Sequence, residues 1–142
     1  MPHKIVFELD PASADVNVLE EGIVQESVLK HGHEDIERFA FFIRDDDNII
    51  LGGCDGEIWC GCLYVRRLWV SEDLRGNGYG AKLMLSAENL ANEKGCAFAT
   101  AHTRDLDALS FYKTLGYYVE FERPGYSQDS ILYFLRRDLA GK

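Results

Sequence analysis

Between residues 75 and 80 the chain reads Arg75-Gly76-Asn77-Gly78-Tyr79-Gly80. Three glycines at alternate positions take three side chains off one turn of backbone, so successive N–H groups can point into one concavity. The residues that follow have helical spacing. That sets the concavity at a helix N-terminus, where bare amides and the helix dipole both favour negative charge. Arg75 adds a positive charge at the rim. These residues suit the holding of phosphate, and they read as a seat for the pyrophosphate of a nucleotide-containing cofactor. No metal site competes with that reading. The cysteines are Cys54, Cys60, Cys62 and Cys96, with no C-x-x-C spacing, and His3, His31, His33 and His102 add no ligand cluster. The thiols read as small apolar core groups, with Cys60 and Cys62 on one strand face.

A turn of this kind needs a strand leading in and a helix leading out. Leu68-Trp69-Val70 reads as the end of a buried strand, and Ser71 to Leu74 as a short connection. After the glycines, Leu83, Ala87, Leu90 and Ala91 form an apolar stripe, while Lys82, Glu88, Asn92 and Glu93 are expected to face water. Lys94 and Gly95 end that helix. Cys96 to Ala101 is a short buried strand. Because a helix joins it to the strand ending at Val70, the two should run parallel.

Upstream, Lys4 to Leu9 is expected as a first strand, broken by Asp10-Pro11. Ala12 to Lys30 is a helix that Asp10 or Ser13 can cap, that Gly22 can split, and that Gly32 ends. Arg38 to Arg44 and Ile49 to Leu51 form a hairpin about Asp45–Asn48. Asp55-Gly56 is a turn or a bulge within a long bent strand, and Glu57 to Val70 reads as one long apolar run, interrupted by Gly61 and by Arg66-Arg67. Downstream, Asp105 caps a helix through Leu115, and Gly116 ends it. Tyr117 to Arg123 and Ser130 to Arg137 are strands about a turn at Pro124-Gly125. The elements describe an α/β fold with a mostly antiparallel mixed sheet, one parallel pair and helices on both faces, in a single domain over residues 1–142.

The 142 residues are 46% hydrophobic and 27% charged, as expected of a domain with a real core. Fifteen Lys and Arg against 24 Asp and Glu give a net charge of −9. Such a surface repels nucleic acid and anionic membrane, so neither is expected as a partner. No apolar run is long enough to span a bilayer, and Met1 to Lys4 leads straight into an apolar stretch without signal-peptide architecture. A cytoplasmic location is expected.

Gly76-x-Gly78-x-x-Ala81 fits a permissive dinucleotide fingerprint. Several features oppose that reading. Ser71 to Arg75 separate the strand from the first glycine, whereas the fingerprint needs the glycines at once. The next strand ends in Ala101-His102-Thr103 without the acid that would bind a ribose. About forty residues remain, too few for the further βαβ units. No Gly-Lys-Ser/Thr follows, which removes the P-loop.

Arg75-x-x-Gly78-x-Gly80, preceded by Leu68-x-Val70 and followed by an amphipathic helix, resembles the acetyl-coenzyme A motif of the GCN5-related N-acetyltransferases (GNATs). Ala108-x-x-Phe111-Tyr112-Lys113-x-Leu115-Gly116-Tyr117 resembles that family's second motif. The likeness covers roughly Phe39 to Tyr118. It implies an N-acetyltransferase of the GNAT fold, with two central parallel strands splayed apart and the thioester in the gap. It also implies that the backbone of Leu68, Trp69 and Val70 pairs with the pantetheine arm. Arg75 and the amides of Gly76, Asn77, Gly78, Tyr79 and Gly80 would hold the pyrophosphate, with Asp105 and Ala108 near the cofactor. Asp105 stands where the family often has Asn. No metal is implied.

By the same resemblance Tyr112 is the general acid. Attack by an amine on a thioester expels a thiolate, whose thiol has a pKa near ~8.5. A phenol, with a pKa near ~10, stays protonated at neutral pH and can donate to that sulfur. The base that takes the amine's proton is open: the family's strand carboxylate is missing from Tyr64-Val65-Arg66-Arg67, and Glu57, Glu72, His102, Asp105 or a water chain are candidates. Arg66 and Arg67 point to opposite faces, as a substrate contact or as surface salt bridges. The expected reaction is transfer of acetyl to a small-molecule or peptide primary amine by direct attack in a ternary complex. The alternative is a non-catalytic acyl-coenzyme A sensor. A homodimer is open, because family members often pair.

Overall fold

The computed structural model describes residues 2–32 and 36–139. The chain divides into two units, Met1–Asp35 and Ile36–Lys142.

The first unit carries one helix, α1 (Ser13–His31). Residues 2–9 form no strand, contrary to the expectation for Lys4 to Leu9; Ile5, Val6, Phe7 and Leu9 are exposed. A strand exists only through its hydrogen-bonded partner, and no described residue pairs with this run. The N-cap of α1 is Ala12, with no side-chain cap bond, so neither Asp10 nor Ser13 performs that role. Gly22 leaves the helix continuous. Gly32, at φ 68°, closes it through N–H bonds to the carbonyls of Ser27 and Val28.

The second unit holds a six-stranded sheet and two helices. The strands are β1 (Glu37–Arg44), β2 (Ile50–Trp59), β3 (Cys62–Val70), β4 (Phe98–Thr103), β5 (Tyr118–Tyr126) and β6 (Ser130–Asp138), in the order β1-β2-β3-β4-β6-β5. All neighbours are antiparallel except β3 and β4. That parallel pair is joined by α2 (Tyr79–Glu93), as a crossover requires. Helix α3 (Leu106–Thr114) links β4 to β5.

Alternation sets the core. Leu63 and Val65 on β3, Ala99 and Ala101 on β4, and Leu135 on β6 point to one sheet face. There they meet Leu83, Met84, Ala87 and Ala91 of α2, and Leu109 and Tyr112 of α3, in one buried cluster. These small, tightly packed residues hold both helices close to the sheet.

Three features differ from the pattern read in the sequence. The apolar run from Glu57 to Val70 is two strands: Cys60 (φ 50°) and Gly61 (φ 78°) form a tight turn between β2 and β3. Two consecutive left-handed residues match the twist of a hairpin, and Cys60 therefore lies at its tip, not on a face shared with Cys62. Pro124-Gly125 is an irregularity inside β5, while the reversal falls on residues 127–129 with Gln128 and Asp129 at positive φ. Glu88 is 6% exposed and not in water. Its carboxylate accepts from the Tyr117 hydroxyl at 2.9 Å and from Arg137 Nη1 at 2.5 Å. Those partners convert an isolated buried charge, which would be costly, into a satisfied one.

Candidate active site

Strands β3 and β4 pair only from Cys62 opposite Phe98 to Tyr64 opposite Thr100. Beyond that, β3 stays with β2 as far as Val70, and β4 stays with β6 as far as Thr103. The two central strands therefore part. The cause lies on the β2 side. Gly56 is opposite Val65 and Asp55 is opposite Arg67, so Arg66 is an extra residue in β3. Such a bulge bends the strand that carries it. Gly56 permits it, because a Cβ there would run into the carbonyl oxygen of Tyr64. Past the parting, Leu68, Trp69 and Val70 keep their β2 partners and leave their other edge open.

The chain then leaves the sheet. Ser71 N–H donates to the Leu51 carbonyl at 2.8 Å, and a short 3-10 turn (Glu72–Leu74) follows. Arg75 Nε donates to the Val70 carbonyl at 2.9 Å, which ties the turn back to the strand end. Asn77 Nδ2 donates to the carbonyls of Leu74 (3.1 Å) and Arg75 (3.3 Å). Its side chain thus braces the turn and leaves only its amide for a ligand. Gly76 (φ 80°) and Gly78 (φ 81°) are left-handed, and a Cβ on either would meet nothing within 4 Å. These two glycines serve backbone shape. Gly80 serves packing: a Cβ there would stand 3.2 Å from Phe111 Cζ of α3.

Gly78 is the N-cap of α2, with no side-chain cap bond and no acid in the first turn. The helix's Lys82 N–H bonds to the Gly78 carbonyl at 3.1 Å, and the amides before it are the ones a helix start leaves without an intrahelical acceptor. Lys82 Nζ, above the Tyr79 ring at 5.2 Å, adds a cation beside this start. Bare amides, an uncapped dipole and two cations fit a pyrophosphate.

Tyr112 lies on the inner side of α3 and is 6% exposed. Its ring makes edge contacts with Phe111 and Tyr117, each at 5.5 Å between centroids. Among the described residues its hydroxyl has no hydrogen-bond partner. Burial pushes its pKa up to about 12, helped by Cys54 and Tyr64. Asp105 caps α3, its carboxylate accepting from Asp107 N–H at 2.8 Å. Ala108 is half-buried against the core.

The residues considered for the acceptor side separate clearly. Glu57 is engaged by Arg66, and Asp55 receives both Nε (3.0 Å) and Nη2 (2.7 Å) of Arg67. Both arginines are thus salt-bridged. The Arg67 guanidinium holds the Asp55 carboxyl below the usual range. Glu72 lies on the 3-10 turn. His102 is different: its Nε2 and the Tyr64 hydroxyl are 2.6 Å apart, across the point where the strands part. Burial raises the Tyr64 pKa, partly offset by Arg67. Tyr64 and His102 are thirty-eight positions apart in the chain, and only the strand register brings them together. No local pattern announces such a pair.

Cys54, Cys62 and Cys96 are packed groups, whereas Cys60, expected in the core, is exposed at the turn between β2 and β3. Cys54 is buried and its pKa is pushed up to about 11, chiefly by burial and then by Asp55. Cys62 approaches Thr100 Oγ1 at 3.6 Å. All four cysteines are free, and no metal-binding cluster occurs among the described residues.

A strand pair that parts beside an uncapped, glycine-led helix is the geometry that the two sequence motifs imply. Residues 9–117 match the model of the Acetyltransferase (GNAT) family. The chain belongs to the GNAT family. Among its relatives is the acetyltransferase Atu2258 of Agrobacterium fabrum, 35% identical over 76% of this chain and 80% of the relative. Another is the blasticidin-S acetyltransferase of Streptomyces morookaense, 30% identical over 73% of this chain and 77% of that one. A crystal structure of an Agrobacterium tumefaciens protein assigned as an acetyltransferase superposes with a TM-score of 0.86 at 28% identity, covering 97% of this chain and 100% of that one. This GNAT protein is accordingly an acyl-transferring enzyme of the acetyltransferase class. No described helix is long and apolar enough to cross a membrane.

Proposed function

We propose that this GNAT enzyme moves an acetyl group from acetyl-coenzyme A to a primary amine by direct attack in a ternary complex. The observation that carries the reading is the open edge of β3 running into the uncapped start of α2. The main chain of Leu68, Trp69 and Val70 would hold the pantetheine arm. Arg75 and the amides of Gly76, Asn77, Gly78 and Tyr79 would hold the pyrophosphate. Gly80 contributes its amide and its contact with α3, and Ala108 and Asp105 shape the adjoining wall. Bound acetyl-coenzyme A supplies the acyl carbon and the departing thiolate.

Tyr112 is the general acid. At about 12 its phenol is protonated at any working pH. In water a thiol near ~8.5 is the stronger acid, so full transfer from such a phenol is uphill. Burial, however, destabilises a thiolate as it does a phenolate, and this narrows the difference. The phenol donates a hydrogen bond as charge grows on sulfur and completes the transfer as the thiol forms. His102 takes the amine's proton. In the tautomer whose Nε2–H donates to Tyr64, Nδ1 keeps its lone pair for that proton. Tyr64 contributes, after burial and Cys54, to the raised Tyr112 pKa. The acceptor is a small amine, and the free thiols agree with a cytoplasmic location.

The test is an amine library incubated with acetyl-coenzyme A, read by thiol release and product mass. Transfer to any amine sustains the reading. Tight binding of acetyl-coenzyme A by calorimetry, with no transfer to any member, would instead identify a non-catalytic sensor.

A further inference from the structure

The sheet face opposite the core carries a row of rings, one from each of four neighbouring strands. Tyr64 and His102 stack at 5.7 Å and 18°, His102 and Phe134 are 5.7 Å apart, and Phe134 and Phe121 are 5.6 Å apart. The row follows from register, since His102 is opposite Phe134 and Phe134 is opposite Phe121. Beyond it lie Arg104 and Arg123. Arg123 sits over Phe134 (5.2 Å) and donates from Nη1 to the Tyr126 hydroxyl at 3.4 Å. Arg104 sits over the same Tyr126 ring at 5.8 Å and donates from Nη1 to Ser130 Oγ at 3.1 Å.

This pair stands out in a chain with nine more acids than bases. Arg66, Arg67, Arg136 and Arg137 all hold carboxylates. Among the described residues Arg104 and Arg123 hold none; Arg44 and Arg75 likewise bond to main-chain carbonyls, but Arg104 and Arg123 both contact Tyr126. Two guanidinium groups that contact the same tyrosine and hold no carboxylate are placed to share one anionic partner. Each guanidinium spends one Nη on a neutral oxygen and keeps its other donors, and a planar fork matches a carboxylate. Arg104 follows directly on the end of β4 (Phe98–Thr103), two residues past His102, and its contacts with Tyr126 and Ser130 place its guanidinium beside the start of β6.

We propose that Arg104 and Arg123 bind a carboxylate on the amine acceptor, so that the enzyme's substrates are amino-carboxylates presented with the amine toward His102. This rests on the acetyl-transfer reading above and narrows its substrate class. The acceptor's carbon chain lies over the Phe134–Phe121 end of the row. The acceptor is thereby oriented by its anionic end, and attack from the other end forms the C–N bond as the C–S bond breaks.

The experiment compares matched acceptors, from glycine to 6-aminohexanoate, each as the free acid, as its neutral amide and with phosphonate in place of carboxylate. The read-out is thiol release at saturating acetyl-coenzyme A. For at least one chain length the acid should exceed its amide by tenfold or more in kcat/KM. Arg104→Gln and Arg123→Gln should each raise KM for that acid about tenfold while leaving its amide unchanged, with thermal unfolding confirming the fold. Amides used as well as acids at every length, or a preference for phosphonate over carboxylate, would overturn the proposal even if transfer is robust. Absence of transfer to any member of this panel would overturn the proposal; the acetyl-transfer reading falls with it only if the wider amine library is silent as well, and calorimetry with acetyl-coenzyme A then shows whether the donor site failed.

Discussion

The two walls proposed for the site, one for the donor and one for the acceptor, are made of different materials. The donor wall, from Leu68 to Tyr79, is mainly main chain: an open strand edge, two left-handed glycines and the uncapped start of α2. The acceptor wall is made of side chains gathered from four strands, with Tyr64, His102 and Phe134 touching only through register. A main-chain wall recognises what is constant, a phosphate and an extended arm. A side-chain wall can recognise what varies.

The contrast can be broken or sharpened by substitution. The largest effect is expected where the two walls part. Gly56→Ala drives a methyl group into the Tyr64 carbonyl, and denaturant unfolding should show a loss of about 3 kcal/mol or more. Unchanged stability would mean that the bulge does not depend on that close approach. Next, Tyr112→Phe should lower kcat about 10²-fold with acetyl-coenzyme A binding nearly intact. The phenol titrates only near about 12, so the variant should keep the wild-type rate profile up to pH 10. Unchanged kcat would remove Tyr112 from the mechanism. Gly78→Val puts a branched side chain at φ 81°, strained by about 1–2 kcal/mol, in the floor of the phosphate seat. Calorimetry should show cofactor affinity reduced about tenfold or more while the far-ultraviolet spectrum is kept. The smallest effect belongs to Trp69→Ala. Its side chain is 53% exposed, and if the main chain binds the arm, KM for acetyl-coenzyme A should stay within about twofold. A large rise would put a side chain into the donor wall.

The same contrast governs how far the sequence can be read. Glycines at residues 76, 78 and 80 sit together in the chain because the turn they make is local, so the cradle, its strand and its helix are legible from residue types and spacing alone. The Asp105 cap is local in the same sense, and the parallel pair, though its strands lie far apart in the chain, is legible because a single helix joins them. The turn at Cys60-Gly61 is hidden inside a continuous apolar run, where only Gly61 hints at reversal. Glu88 reads as a surface residue of α2 because its partners, Tyr117 and Arg137, come from far along the chain. The Tyr64–His102 pair is hidden for the same reason. The missing strand at Lys4 to Leu9 shows the converse: a strand-like composition supplies no partner.

The extra residue at Arg66 also bears on how quickly the enzyme can load its donor. It makes β3 one residue longer than the β2 segment it faces, so β3 curves from β4 as a strip with one long side curls. Closing the strands again would mean expelling that residue and breaking its tie to Glu57. The parting of β3 and β4 is therefore built into the fold by the bulge. An incoming cosubstrate need not wait for a rearrangement, and association should be limited by diffusion and orientation rather than by a conformational step.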